Sequence, residues 1–164
     1  MGIDPGSSCT GYGIIEEING ALKVVHWGSV KNRLRQPFPQ KLKFIYDELI
    51  MVIRKFNPDE VAIEDMFFAT NVKSALKLGQ TRGIAVLSAV NEGKPVAEYS
   101  PLEVKQSVVG YGRAEKAQVQ DMVTSLLRLK EKPEPLDASD ALAVAICHIH
   151  TATANSRIET TKGT

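Results

Sequence analysis

The chain has 164 residues, of which 43% are apolar and 24% charged, with a formal net charge of +1. So much apolar content at so low a net charge excludes a predominantly disordered chain, and two cysteines in this length exclude a disulfide scaffold. No apolar run approaches the ~18 residues of a membrane span, and Met1-Gly2-Ile3-Asp4-Pro5-Gly6 lacks the basic-then-apolar pattern of a secretory signal. A cytoplasmic protein with reduced thiols and no membrane partner is expected. It is read as one domain over residues 1–150, followed by a polar, flexible tail over 151–164. With the charge so evenly balanced, a nucleic-acid partner has to be argued from local patches.

The residues from Thr10 to Ile18 predict a strand that runs into Asn19-Gly20, a strong hairpin signal, and Ala21 to Val30 returns as its partner. Pro5-Gly6-Ser7-Ser8 turns the chain between the first strand and the second. Residues 31–43 carry Lys31, Arg33, Arg35, Lys41 and Lys43 with no acid, broken by Pro37 and Pro39, and predict a basic loop. Leu42, Ile45, Leu49, Val52, Ile53 and Phe56 recur at helical spacing, so 41–56 predicts an amphipathic helix stopped by Asn57-Pro58-Asp59. Val61-Ala62-Ile63 predicts a short buried strand, and 71–90 a second long helix. In that helix Ala75, Gly79 and Gly83 fall at i, i+4 and i+8. Each interior glycine costs about 1 kcal/mol relative to alanine, so another element is expected to approach this stripe closely. Either a second copy or the chain's own sheet meets that requirement.

Pro95 to Glu98 predicts the last strand. Ser100-Pro101-Leu102-Glu103 matches a capping box with proline at the first helical position, opening a helix to about Val109. Gly110-Tyr111-Gly112 breaks it, 114–129 predicts a further amphipathic helix ended by Pro133 and Pro135, and Asp137 to about His150 predicts the final one. Three meandering strands followed by strand–helix alternation give an α/β fold with a mixed sheet flanked by helices.

Four acids stand at the ends of these elements. Asp4 closes the first strand, Glu64 closes Val61-Ala62-Ile63, and Asp137 and Asp140 open the last helix. Ligands of open sheets gather beyond the ends of neighbouring strands, so Asp4 and Glu64 share an edge if their strands are adjacent and parallel. Asp137 and Asp140 are about 60° apart around a helix, and point away from the stripe Leu142, Ile146 and Ile149. Oxygen donors without His or Cys suit Mg²⁺, and clustered carboxylates repel one another unless a cation is present. Each acid also has a plainer reading: Asp137 as a helix cap with Asp140 in the favourable field of the dipole, Glu64 as a solvated strand end, Asp4 as a turn acid.

The ordered set of motifs resembles the RuvC-type Holliday junction resolvases, crossover junction endonucleases of the ribonuclease H-like superfamily. The residues that carry it are Gly2-Ile3-Asp4-Pro5-Gly6-Ser7 with Thr10-Gly11-Tyr12-Gly13, Ala62-Ile63-Glu64, and Ser74-Ala75-Leu76-Lys77-Leu78-Gly79-Gln80 with Arg82-Gly83. Val104-Lys105-Gln106, Val109-Gly110 with Ala114-Glu115-Lys116, and Asp137-Ala138-Ser139-Asp140-Ala141-Leu142-Ala143 complete it, from Gly2 to about His150. The resemblance implies a ribonuclease H-like, five-stranded mixed sheet with helices on both faces, a homodimer, and a nuclease using two Mg²⁺ per site, with Mn²⁺ able to substitute. It implies that Asp4, Glu64, Asp137 and Asp140 hold the metal, that Lys105 and Lys116 lie near the scissile phosphate, and that Phe67 contacts junction bases. Branch-migration motors and junction-binding proteins are the further partners it implies. Only three residues precede Asp4, fewer than is usual in that family, so the first strand is expected to be short at its start.

The expected reaction is paired, symmetric nicking of four-way DNA junctions in recombination and repair, leaving a 5′-phosphate and a 3′-hydroxyl. Without the resemblance, Lys105 and Lys116 read as solvent-exposed helix positions. Lys73, Lys77 and Arg82, sharing one helix without an acidic neighbour, are the expected DNA contacts, with the run Lys31 to Lys43 as a second patch. One of Phe67 and Phe68 is expected to stack on a base and the other to pack inward. Cys9 and Cys147 lack metal-ligand spacing, and His148 and His150 read as structural. Two rival functions stand beside nicking: a non-catalytic junction-binding module, and one lobe of an actin-like ATPase or sugar kinase.

Overall fold

The computed structural model describes residues 1–32, 36–65 and 71–162. The elements in chain order are β1 (Gly2–Asp4), β2 (Cys9–Ile18), β3 (Ala21–Lys31), α1 (Phe38–Phe56), β4 (Val61–Glu64), α2 (Val72–Asn91), β5 (Val96–Tyr99), α3 (Pro101–Val109), α4 (Lys116–Leu126) and α5 (Leu136–Lys162). The strands form one sheet in the order β3-β2-β1-β4-β5. β2 pairs antiparallel with β1 and β3, while β1, β4 and β5 run parallel. This is the five-stranded mixed sheet the sequence leads one to expect.

Local chemistry sets most boundaries. Asn19 and Gly20 both take positive φ, at 53° and 78°, as a two-residue primed turn requires. Asn57 closes α1 in the left-handed region, its N–H donating to Ile53. The Ser100–Glu103 capping box opens α3 with both reciprocal bonds present. α1 departs from expectation by starting at Phe38 inside the predicted basic loop, with a proline in its first turn. A proline there costs nothing, because the first N–H groups of a helix have no intrahelical partner.

Each face of the sheet carries its own core. On one face Ile3, Val61 and Ile63 pack against Ile45, Leu49 and Ile53 of α1 and Ala85 and Ala89 of α2. On the other, Ala62 packs with Val104 and Val108 of α3, Val119 and Val123 of α4, and Leu142, Val144 and Ile146 of α5.

α5 lies directly on bare backbone. A Cβ added at Gly2 would stand 2.1 Å from the Ala141 carbonyl oxygen, at Gly11 1.8 Å from that of Asp137, and at Gly13 2.6 Å from the Leu142 side chain. Gly2 and Gly13 are paired partners, as are Asp4 and Gly11, so all four residues share the face that α5 covers. The first turns of α5 are therefore enclosed over most of their surface: Ala138, Ser139, Ala141, Leu142, Ala143, Val144 and Ile146 are all fully buried, in place of the single buried stripe expected.

α5 also outruns its predicted end near His150 and continues to Lys162. Once a buried segment has nucleated a helix, each added residue propagates it at little cost, and no Pro or Gly intervenes before Gly163. Thr151 donates to the Cys147 carbonyl and Thr153 to Glu17, so the start of the expected tail is tied to the domain. Among the described residues no helix is long and apolar enough to cross a membrane.

Candidate active site

Sheet register places the first two acids. Gly2 pairs with Ala62 and Ile3 with Ile63, so Asp4 and Glu64 are the next residues of adjacent parallel strands, about 4.8 Å apart. Ala62 belongs to the α5 face, and Glu64, two residues on, shares that face with Asp4. Each acid ends its strand because a buried apolar run stops there: Ile3 and Ile63 are both fully buried. The Gly11–Asp137 contact seats the N-terminus of α5 over the same edge, which brings Asp140 into the field of Asp4 and Glu64.

The electrostatics follow from this placement. The Asp4 carboxyl is pushed up to about 8, first by burial, then by the charges of Glu64 and Asp140. Glu64 is also raised, chiefly by burial, although Lys116 and Lys105 oppose the shift. The two carboxyls lie within side-chain hydrogen-bonding reach of each other. Lys116 Nζ donates to Asp140 Oδ2 at 2.7 Å. Partial burial works against its ammonium, but the bond to Asp140 and the charges of Asp4 and Glu64 outweigh that and raise it.

The structure thus gathers Asp4, Glu64, Asp140, Lys116 and Lys105. Asp137 lies beside Cys9, whose thiol is raised by burial and by that carboxylate. Asp137 does not cap α5, because the helix already starts at Leu136. Among the described residues, no three His, Cys, Asp or Glu side chains stand close enough to enclose a metal ion as they are placed. As placed, the Lys116 ammonium holds Asp140, and Asp137 lies beside the Cys9 thiol.

The expected DNA contacts divide. Lys73 and Lys77 are exposed on α2, and Lys77 lies 5.6 Å from the centre of the Phe38 ring at the start of α1, so the two basic patches adjoin. Arg82 is not a free cation. It binds Asp65 at 3.2 Å and also Glu98 of β5, with only 23% of its side chain exposed. The acids lie on other elements, which is why the helix alone gave no sign of them. Phe67, Phe68, Arg33 and Arg35 lie outside the described residues. Sequence reasoning also missed Cys9 beside Asp137 and the glycines under α5. The alternation Gly11, Gly13 on a strand was the available signal, since it bares one face.

The family model for the crossover junction endodeoxyribonuclease RuvC matches residues 1–148. The chain belongs to the RuvC family. It is 54% identical over 151 residues to the crossover junction endodeoxyribonuclease RuvC of Alkaliphilus oremlandii, covering 92% of each chain. It superposes on the Thermus thermophilus RuvC structure with a TM-score of 0.86 at 34% identity, covering 94% of this chain and 95% of the other. The T. thermophilus RuvC complex with a Holliday junction substrate gives a TM-score of 0.87 at the same 34% identity, covering 94% of each chain. This RuvC-family chain carries Asp4, Glu64, Asp137, Asp140, Lys105 and Lys116 within the matched segment.

Proposed function

We propose that this chain resolves four-way DNA junctions by paired symmetric nicks, with Asp4, Glu64, Asp137 and Asp140 holding two Mg²⁺ ions. The observation that carries it is the pairing of Asp4 with Glu64 on adjacent parallel strands, facing Asp140, in a chain of the RuvC family. The donor set fits a hard divalent cation: the clustered side chains are carboxylates, and burial among like charges holds Asp4 protonated, a stress that a cation relieves. Asp4, Glu64 and Asp140 would hold the cations, and Asp137 would join them by turning from Cys9. When bound, such ions lower the pKa of the attacking water and neutralise charge on the leaving oxygen. Lys105 and Lys116 flank the carboxylates and stabilise the phosphoryl oxygens. The products are a 5′-phosphate and a 3′-hydroxyl.

Two symmetric nicks need two sites related by a dyad, which a homodimer supplies. α2 offers the face for a second copy: Val72 (74% exposed), Leu76, Leu87 and Val90 lie along it, and an added Cβ at Gly83 would meet nothing within 4 Å. The glycine at this end of the stripe therefore opens outward and does not press on the chain's own sheet.

The test is a synthetic mobile four-way junction incubated with Mg²⁺. Paired nicks at symmetric positions with ligatable ends are expected; binding without nicks, or cuts scattered through duplex arms, would refute the proposal. Salt titration of binding checks the cation assignment. Lys73→Gln and Lys77→Gln are each expected to lower the slope of log K against log [salt] by about one. Arg82→Gln is expected to leave it unchanged, because that guanidinium is already neutralised by Asp65 and Glu98.

A further inference from the structure

Lys116 brings a cation to the carboxylates. Its Nζ is 2.7 Å from Asp140 Oδ2. The two partners differ sharply in freedom: 15% of the Asp140 side chain is exposed against 67% of Lys116. A carboxylate held on the enclosed end of α5 is thus met by a lysine reaching in from solvent. Lys116 is the first residue of α4. A cation at a helix N-terminus lies at the unfavourable end of the dipole, so the position does nothing for α4 and is accounted for by the acid it meets. The same charge acts on Asp4 and Glu64, and among the described residues it is the ammonium hydrogen-bonded within this carboxylate group.

A divalent cation bound through Asp140 needs the lone pairs that the ammonium now uses. We propose that Lys116 is a built-in counter-cation, which occupies Asp140 while the site is metal-free and must leave it for a divalent ion to bind. Metal binding and lysine release are then one coupled event. The inference rests on the cation-binding reading of the site given above and goes beyond it. The lysine's exposure lets it swing out without disturbing the core, and a phosphate oxygen of a bound strand is the natural acceptor for the freed ammonium.

The experiment measures Mn²⁺ binding to the full chain without DNA, by electron paramagnetic resonance of free Mn²⁺, together with melting in EDTA and in saturating Mn²⁺. Lys116→Met is expected to bind Mn²⁺ roughly tenfold more tightly than the parent, and to melt below it in EDTA but not in Mn²⁺. Lys116→Arg, which keeps the pair, is expected to follow the parent. Lys105→Met removes a charge that Glu64 feels but that is not bonded to Asp140, and is expected to tighten binding distinctly less. Unchanged or weaker Mn²⁺ affinity in Lys116→Met would overturn the inference. So would an equal gain in Lys105→Met, which would reduce the effect to net charge, or a Lys116→Met deficit in melting that persists in Mn²⁺, which would make the pair merely structural. If the parent bound no Mn²⁺, the cation-binding reading would itself be refuted, and this inference with it.

Discussion

Asp4→Asn is expected to abolish junction cleavage, by about a thousandfold or more, while junction binding survives. The size follows from the position. Asp4 feels the charges of both Glu64 and Asp140, and on the proposed function it is the carboxylate that the cations would share. Losing several kcal/mol of charge stabilisation in the transition state costs about one decade of rate per 1.4 kcal/mol. Asparagine keeps the shape, and the fold does not depend on the charge: burial and two neighbouring acids raise the carboxyl from 3.8 to about 8, so near neutral pH the metal-free protein already holds it largely uncharged.

That shift also fixes the sign of a pH dependence. Between 3.8 and about 8 the folded state retains a proton that the unfolded state has lost. The stabilising contribution of protonated Asp4 is complete below the lower value, declines as pH rises through the window, and is gone above about 8. A cation needs the carboxylate, so metal affinity rises over the same window and levels off above it, with a proton released on binding. Calorimetry in two buffers of different ionisation heat reads that proton directly, and in Asp4→Asn it is expected to vanish. Cleavage that persists in Asp4→Asn would show that another group organises the chemistry.

Gly11→Ala is the second large effect. The new methyl would lie 1.8 Å from the Asp137 carbonyl oxygen and 2.3 Å from its carbon, both backbone atoms at the enclosed start of α5. Neither can yield without lifting the helix from the sheet. A loss of about 3 kcal/mol or more is expected, seen as a fall in melting temperature on the order of 10 °C. Nicking is expected to fall further than stability alone explains, because the displaced turn carries Asp137 and Asp140. Gly83→Ala is the control. Nothing of its own chain lies within 4 Å of its added carbon, and alanine is the better helix former by about 1 kcal/mol, so at dilution that leaves the single chain its melting is expected to hold or rise. A Gly11→Ala protein that melted with the parent would show that α5 does not rest on bare backbone.

Where structure follows from neighbours in sequence, it was legible. Asn19-Gly20, Ser100–Glu103 and Asn57 act within a few residues, and each ends or opens its element as expected. The Asp4 and Glu64 pairing was legible for a related reason: a buried run that stops at an acid puts that acid at the sheet edge, and only strand adjacency was left open. What escaped lies between distant elements. Gly2, Gly11 and Gly13 read only as strand and motif residues, yet they form the bed on which α5 lies. Arg82 read as free because its acids are on β5 and on the segment after β4. Asp137 read as a partner of Asp140, and its nearness to the Cys9 thiol, from the start of β2, was not legible because the two are far apart in sequence. Lys105 and Lys116 look like ordinary surface lysines by pattern, and only the family resemblance singled them out.

The most direct test of the convergence of Asp4, Glu64 and Asp140 on shared ions is anomalous diffraction from crystals of the protein loaded with Mn²⁺. Manganese peaks are predicted in contact with Asp4 and shared with Glu64 and Asp140, with the Lys116 ammonium drawn off Asp140. Manganese bound elsewhere, with Asp4 touching none of it, would contradict the account.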